Sequence, residues 1–310
     1  MNAKTIVIAG GSGFIGNALA KAFLATDRPV IVLTRTPRSR TDGVLELRWD
    51  GEKTGEWVKS LEGAAAIINL AGHNINCRHT PENLREIAAS RLNSVKAIAA
   101  GMTQLKTPPR VWVQASATGF YGDTGDRLCD ETGPNGSDTL AQVCRDWEKA
   151  CERACESMTV PGMRRVILRI GFVMGRDGGA LPVLARLTKL FLGGAVGNGR
   201  QYISWIHLAD VVGIFAAAVA NEAMAGTYNT VAPNPVTNAE FMRELRRALR
   251  RPWSPPAPAL AVKLGARLMG TEGSLALVSQ RCSAQKITVT GFQFQFPELA
   301  PALRDLCGKI

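Results

Sequence analysis

Gly10, Gly13 and Gly16 follow directly on the apolar run Thr5-Ile-Val-Ile-Ala9, and their type and spacing carry the clearest chemical implication in the chain. A glycine at the first position lets the backbone turn sharply out of a strand. At the second it lets an anionic ligand approach the main chain, and at the third it lets the next helix pack closely. A helical pattern of Ala18, Leu19, Ala22 and Phe23 starts at once. Its first N–H groups have no partner within the helix, so they suit the pyrophosphate of a dinucleotide. A glycine turn that binds nothing is the competing explanation. The context, after a strand and opening a helix, favours the ligand.

A second signal lies about nineteen residues beyond Gly16, where the run Val30-Ile-Val-Leu-Thr34 ends in Arg35. Sites that hold the ribose hydroxyls of NAD place a carboxylate there. An arginine instead matches the 2′-phosphate of NADP, which a planar guanidinium can bind in bidentate fashion. Arg38 and Arg40 add positive potential close by. Asp50 is placed either to touch the adenine or to cap the turn at Gly51. Asn69-Leu70-Ala71-Gly72 ends a further apolar run, where backbone should pass beside the nicotinamide ribose. The expected cofactor is NADP.

These residues need a frame. Strand patterns occur at 30–34, 44–49, 66–70, 110–115, 166–170 and 227–230, with helical patterns between them at 82–102, 140–157 and 208–221. Such alternation predicts an α/β fold with a parallel sheet covered by helices on both faces. Two stretches break the rhythm. Gly193-Gly-Ala-Val-Gly-Asn-Gly-Arg-Gln201 is either a mobile cover or a flexible connection, and Arg251-Pro-Trp-Ser-Pro-Pro-Ala-Pro258 is a stiff connector. Beyond them come two or three helical patterns and the aromatic alternation Phe292-Gln-Phe-Gln-Phe296, which reads as a short strand.

With 310 residues, 46% hydrophobic and 20% charged, the composition is that of an ordinary globular protein. No apolar run reaches the length of a membrane helix and the N-terminus enters the first strand at once, so a cytoplasmic address and no membrane partner are expected. Seven scattered cysteines without a Cys-x-x-Cys pair argue against a disulfide framework and against a metal site. The net charge of +11 concentrates in Arg35 to Arg40 and Arg243 to Arg251. The second cluster is punctuated by Phe241, Met242, Leu245 and Leu249 in the manner of a solvated helix face. No nucleic-acid partner is expected.

Longer runs carry a resemblance. Gly10-Gly11-Ser12-Gly13-Phe14-Ile15-Gly16, Asn69-Leu-Ala-Gly72, Ser90-Arg91 and Ser116-Ala-Thr-Gly-Phe-Tyr-Gly122 belong to it. So do the stretches from Arg169 to Leu181, from Gly197 to Asp210, Tyr228-Asn229, 232–241, Gln280-Arg281 and Gly291-Phe-Gln-Phe-Gln-Phe-Pro297. The chain resembles, over nearly its whole length, the extended branch of the short-chain dehydrogenase/reductase superfamily. Within it the chain looks like the atypical NAD-dependent epimerase/dehydratase proteins, also called cell-division-inhibitor-like, with a C-terminal domain of unknown function. The resemblance implies a Rossmann-type doubly wound parallel sheet with a smaller C-terminal substrate lobe. Residues 1–170 and 205–231 would form the NADP-binding domain, and 171–204 and 232–310 the lobe. Gly10 to Gly16, Thr34, Arg35, Arg38, Asp50, Leu70, Ala71, Gly72, Arg91 and Ala115 would line the cofactor. Helices such as 82–102 and 140–157 pair in extended relatives, which leaves a homodimer open.

The superfamily's chemistry rests on a tyrosine whose pKa is lowered by a lysine four residues on. Here Tyr121, Tyr202 and Tyr228 are followed at that spacing by Gly125, Ile206 and Ala232, so the pair is absent, as in the atypical group. Around 140–148 the helix offers Leu140, Gln142, Cys144 and Asp146 instead. The usual catalytic hydroxyl falls at Ala117, between Ser116 and Thr118; either can reach a substrate or simply bond to backbone. Tyr121 is the first candidate for proton transfer, against a packed aromatic. His207 before the helix at 208 is a substrate-facing donor or a residue bonding the helix start, with the second the more ordinary role. Glu131 is a loop carboxylate near the expected cleft, and Arg200 suits an anionic substrate group or mere exposure. The expectation is an NADP(H)-binding oxidoreductase or epimerase-like enzyme on a small-molecule substrate. The alternative is a non-catalytic NADP-binding regulator.

Overall fold

The computed structural model describes residues 4–158, 162–268, 270 and 272–308; the outermost ends of the expected domain ranges, 1–3 and 309–310, lie outside these. Strands β1 (Ile6–Ala9), β2 (Val30–Thr34), β3 (Leu45–Arg48), β4 (Ala66–Asn69), β5 (Val111–Ala117), β6 (Arg164–Ile170) and the later Gly226–Thr230 form one seven-stranded sheet. All its pairings are parallel. From one edge the order runs Gly226–Thr230, β6, β5, β4, β1, β2, β3. The order reverses between β1 and β4, and ligands of such sheets bind at the carboxyl ends beside that reversal.

The central strands are buried on both faces, and successive side chains alternate between two cores. Ile6, Ile8, Ala66, Ile68, Val111, Val113, Val166 and Leu168 enter one core. Val7, Ala9, Ile67 and Trp112 point the other way into a second. Helices α1 (Phe14–Leu24), α2 (Pro81–Met102) and α3 (Thr139–Ser157) occupy the crossovers. Thr80 caps α2 by accepting from the Asn83 N–H, with Pro81 pre-set for the first turn. Asp138 caps α3 through Leu140 and Ala141.

Past β6 the chain builds β7 (Phe172–Met174), α4 (Leu181–Lys189), β8 (Tyr202–Ile203) and β9 (Trp205–His207). Next come α5 (Leu208–Ala220), β10 (the Gly226–Thr230 strand), β11 (Val236–Thr237), α6 (Asn238–Ala248) and α7 (Ala259–Leu268). Finally α8 (Gln285–Val289) and α9 (Leu299–Cys307) close the chain. β7 pairs with β9 and β8 with β11. Met174, Leu181, Trp205, Phe241, Leu245 and Leu303 form a third, separate core. Within β9 the side chains part: Trp205 joins that core and Ile206 the sheet core.

Two sequence expectations need correction. Residues 292–296 form no strand, because no neighbouring strand offers them a ladder. Instead the buried Asp210 carboxylate accepts from the Gln295 and Phe296 N–H groups at 2.7 and 3.1 Å, and Phe292 packs edge-on to Phe294. Nor is the glycine-rich 193–201 stretch a free cover. It is bonded to the proline connector by Gly197 N–H to Ala257 O and Ala257 N–H to Ala195 O. A Cβ at Gly194 would come within 1.7 Å of the Pro255 carbonyl oxygen. The seven cysteines are free thiols. Among the described residues no helix is long and apolar enough to cross a membrane, and no cluster of His, Cys, Asp or Glu is arranged to hold a metal.

Candidate functional site

The β1–α1 turn is shaped by what its glycines leave out. Gly10 has φ +73°, and a Cβ there would meet the Ala71 backbone at 2.9 Å, so the turn lies hard against the chain leaving β4. At Gly16 a Cβ would come within 2.5 Å of the Gly11 Cα. Gly13 differs: its Cβ would meet only the Gly10 oxygen, at 3.6 Å, so the outer face of the turn is open. Gly13 is also the N-cap of α1, and no side chain caps that helix. The first-turn N–H groups of α1 are therefore left to an outside acceptor, and the cradle fits a dinucleotide diphosphate.

Around the turn, Ser12 and Thr34 share a hydroxyl hydrogen bond of 3.2 Å that ties the turn to the end of β2. Arg35 and Arg38 are exposed, and the Arg38 N–H donates to Glu46 at 2.9 Å. Arg40 does not add the positive potential expected of it. Asp42 at 2.6 Å and Glu46 at 3.2 Å cancel its charge, and the Arg40 guanidinium holds the Asp42 carboxyl down at about 2. Of the two roles open to Asp50, the turn is filled: its Oδ1 accepts from the Glu52 and Lys53 N–H groups, both at 2.9 Å.

At the end of β4, Asn69 is buried, accepting from Ala71 N–H at 3.1 Å and donating to Ser94 and Gln114. Below Gly72 lies Arg91, which bonds the His73 and Ile87 carbonyls and stacks 5.0 Å over Trp147. Burial lowers its pKa. Ala115 is buried in β5.

Under the carboxyl ends of β5 and β6, beside α3, lies a buried set of mutually bonded side chains. Ser116 donates to Glu148 of α3 at 2.5 Å. Glu148 takes a bidentate pair from Arg169 at 2.9 and 2.8 Å, with both side chains 6% exposed. Arg169 also donates to the Tyr121 hydroxyl at 2.9 Å and to the Glu131 carbonyl, and its guanidinium carbon sits 3.4 Å over the centre of the Phe120 ring. Tyr121 in turn donates to Asn229 at 2.8 Å, and burial drives the phenol pKa well above its ordinary value despite the nearby cation. The Glu131 carboxylate accepts from the Asn229 N–H at 2.7 Å. Thr118 donates to Gln280 at 2.7 Å, across 162 residues of sequence. The two hydroxyls thus bond side chains, an arrangement the sequence reading did not weigh.

Cys144, one turn before Glu148, is buried with its thiol pushed up to about 12, desolvation being the main cause. His207 caps α5, its Nδ1 accepting from the Ala209 N–H at 3.0 Å, and its ring stacks on Phe296 at 3.9 Å. Desolvation lowers its pKa, opposed by Asp305, whose Oδ2 lies 3.4 Å from Nε2. Arg200 is exposed beside a depression of about 410 Å3 also lined by Asp123, Asp126, Leu277 and Ser279. The structure thus gathers Ser116, Tyr121 and Glu131 into one interior cluster and leaves Arg200 and His207 apart from it.

Sequence reasoning missed Glu148, and met Arg169, Asn229 and Gln280 only as parts of longer motifs, with no role for any of them. One signal was available: Arg169 sits in Val166-Ile-Leu-Arg-Ile170, and a charge inside a buried strand must have a partner.

Comparison with known proteins agrees with the geometry. The NAD dependent epimerase/dehydratase family matches residues 6–230, and a domain of unknown function, DUF1731, matches 257–306. The Arabidopsis thaliana protein "Epimerase family protein SDR39U1 homolog, chloroplastic" is 33% identical over 97% of this chain and 86% of its own length. A Mycobacterium leprae epimerase family protein, ML0860, is 35% identical over 96% of this chain and 94% of its own. The crystal structure of human epimerase family protein SDR39U1 with NADPH superposes with a TM-score of 0.87 at 31% identity, covering 99% of this chain and all of that one. The chain belongs to the NAD-dependent epimerase/dehydratase family and is an NAD(P)-binding protein of Rossmann type.

Proposed function

We propose that this member of the epimerase family is an NADP(H)-dependent oxidoreductase acting on a small molecule at the carboxyl edge of its sheet, in a cytoplasmic setting. The observation that carries the cofactor choice is the end of β2: Arg35 and Arg38 are exposed beside an uncapped α1, while the nearby carboxylates are engaged by Arg40 and the Arg38 N–H. The human relative's structure contains NADPH, which supports the same reading. When bound, the nicotinamide supplies hydride transfer.

This chain's own residues would bind and orient. The α1 N-terminus and Gly13 receive the diphosphate, Arg35 and Arg38 the 2′-phosphate, and the 70–72 backbone the ribose. Fluorescence titration with NADPH and NADH tests the reading. Arg35→Asp should weaken NADPH by about ten- to hundredfold, the range of a charge-assisted hydrogen bond, and leave NADH unchanged. Equal loss of both nucleotides, or none, overturns the assignment.

One observation favours a second reading, a non-catalytic nucleotide-binding regulator. Ser116, Thr118, Tyr121, Glu131 and His207 each already hold a hydrogen-bond partner within the protein. NADPH consumption with a panel of carbonyl compounds separates the two: turnover supports the oxidoreductase, and tight binding without turnover supports the regulator.

A further inference from the structure

The end of the molecule formed by α4, α6 and the proline connector carries an unusual surface. Leu190, Phe191 and Leu192 directly follow α4 and are 62%, 47% and 58% exposed, and Trp253 is 66% exposed. Phe191 holds φ +61°, which a bulky residue rarely adopts, so this apolar tip has a defined turn. Arginines brace it. Arg251 lies 5.3 Å over the Phe191 ring and donates to the Lys189 carbonyl at 3.2 Å, and Arg246 donates to the Gly193 carbonyl at 2.8 Å. Behind it, Arg243, Arg246, Arg247, Arg250 and Arg251 line a depression of about 550 Å3. Glu240 and Glu244 pair with Arg243 and Arg247. Arg250 and Arg251 meet no carboxylate among the described residues. On the outer face of α4, Val183 and Arg186 extend the same mixture toward Leu190.

Three consecutive apolar side chains and an indole raised from a basic surface are an unusual thing to leave in water. The patch fits a partner that is apolar at depth and anionic at its rim. Nucleic acid offers the charge, but nothing to receive Leu190 and Leu192. A bilayer with anionic headgroups offers both, since aliphatic and indole groups enter the interface while guanidinium groups meet phosphate. We propose that this end of the protein docks peripherally on an anionic lipid surface, Leu190, Phe191, Leu192 and Trp253 entering it and Arg250 and Arg251 contacting the headgroups. The expectation of no membrane partner rested on the lack of a spanning run, an argument that does not reach interfacial docking.

Co-sedimentation with vesicles tests it. The full-length protein should pellet with phosphatidylcholine vesicles containing phosphatidylglycerol, stay in solution with phosphatidylcholine alone, and be released by high salt. Arg250→Glu should weaken vesicle binding by at least about fivefold, the effect of one basic residue at an anionic membrane, and Leu190→Ser/Leu192→Ser should abolish it. Both changes lie at exposed positions, and unchanged thermal melting checks that the variants fold. Sedimentation that ignores lipid charge, wild-type protein that stays soluble with both vesicles, or variants that bind as well as wild type each overturn the proposal. So does loss of a homodimer in the Leu190→Ser/Leu192→Ser variant without loss of vesicle binding, which would assign the patch to a second copy.

Discussion

The β1–α1 turn and the floor between β5, α3 and β6 lie at the same carboxyl edge of one sheet, yet they are built on opposite plans. The turn is made of backbone: glycines, unclaimed N–H groups and an open outer face. The floor is made of side chains that satisfy one another, from Ser116 through Glu148 and Arg169 to Tyr121 and Asn229. A region built to receive a ligand leaves its hydrogen-bonding groups unmatched. A region whose donors and acceptors are matched within the protein gives rigidity first.

The largest test of that contrast is Glu148→Ala. It leaves the Arg169 charge buried without its partner and should cost about 3–5 kcal/mol in urea denaturation. The double change Glu148→Leu/Arg169→Met should recover most of the loss, since apolar replacement of a buried pair is often nearly neutral. If the double variant is no more stable than the single one, the floor is more than a matched charge pair.

Next in size is Gly16→Ala. Its Cβ would press within 2.5 Å of the Gly11 backbone, and the overpacking should cost about 1–3 kcal/mol in the same assay. Gly13→Ala sharpens the comparison from the other side. Its Cβ meets only an oxygen at 3.6 Å, so the variant should melt within a few degrees of wild type, and NADPH titration should show binding weakened by about tenfold or more. A Gly13→Ala protein that binds NADPH normally would argue that the nucleotide lies elsewhere.

The smallest effect concerns pH. Burial lowers the His207 pKa, so the folded protein favours the neutral ring. The stability this contributes is complete above the unfolded value near 6.5, and is lost as pH falls from there toward the lower folded value. His207→Asn retains a helix cap but cannot titrate, so its melting temperature should fall less than that of wild type between pH 7.5 and 5.5. Parallel declines would exclude His207 as the source.

The same contrast explains what could be read from the sequence. The strands at 30–34 and 66–69 and the glycine turn are legible because local composition records them: a short continuous apolar run marks a strand covered on both faces, and the glycine spacing marks the turn. The floor escaped because its partners are far apart: Thr118 and Gln280 are separated by 162 residues and Tyr121 and Asn229 by 108. No local pattern encodes such a pair; only the fold brings it together. The aromatic alternation at 292–296 misled for a related reason. Its period is that of a strand, but its N–H groups bond a carboxylate on α5 rather than a neighbouring strand.

The segment around Gln280 is joined to the rest of the protein by main-chain bonds: Thr124 N–H to Ser279 O, Cys129 N–H to Arg281 O, Ser283 N–H to Cys129 O and Gln280 N–H to Tyr202 O. These cross the boundary between the two sequence families. The C-terminal region is thus less an attached module than a clasp, and its inheritance should be tied to that of the first 230 residues. A gene truncated between them would leave several donors and acceptors of the nucleotide half without their counterparts, and should give a chain that is made but degraded.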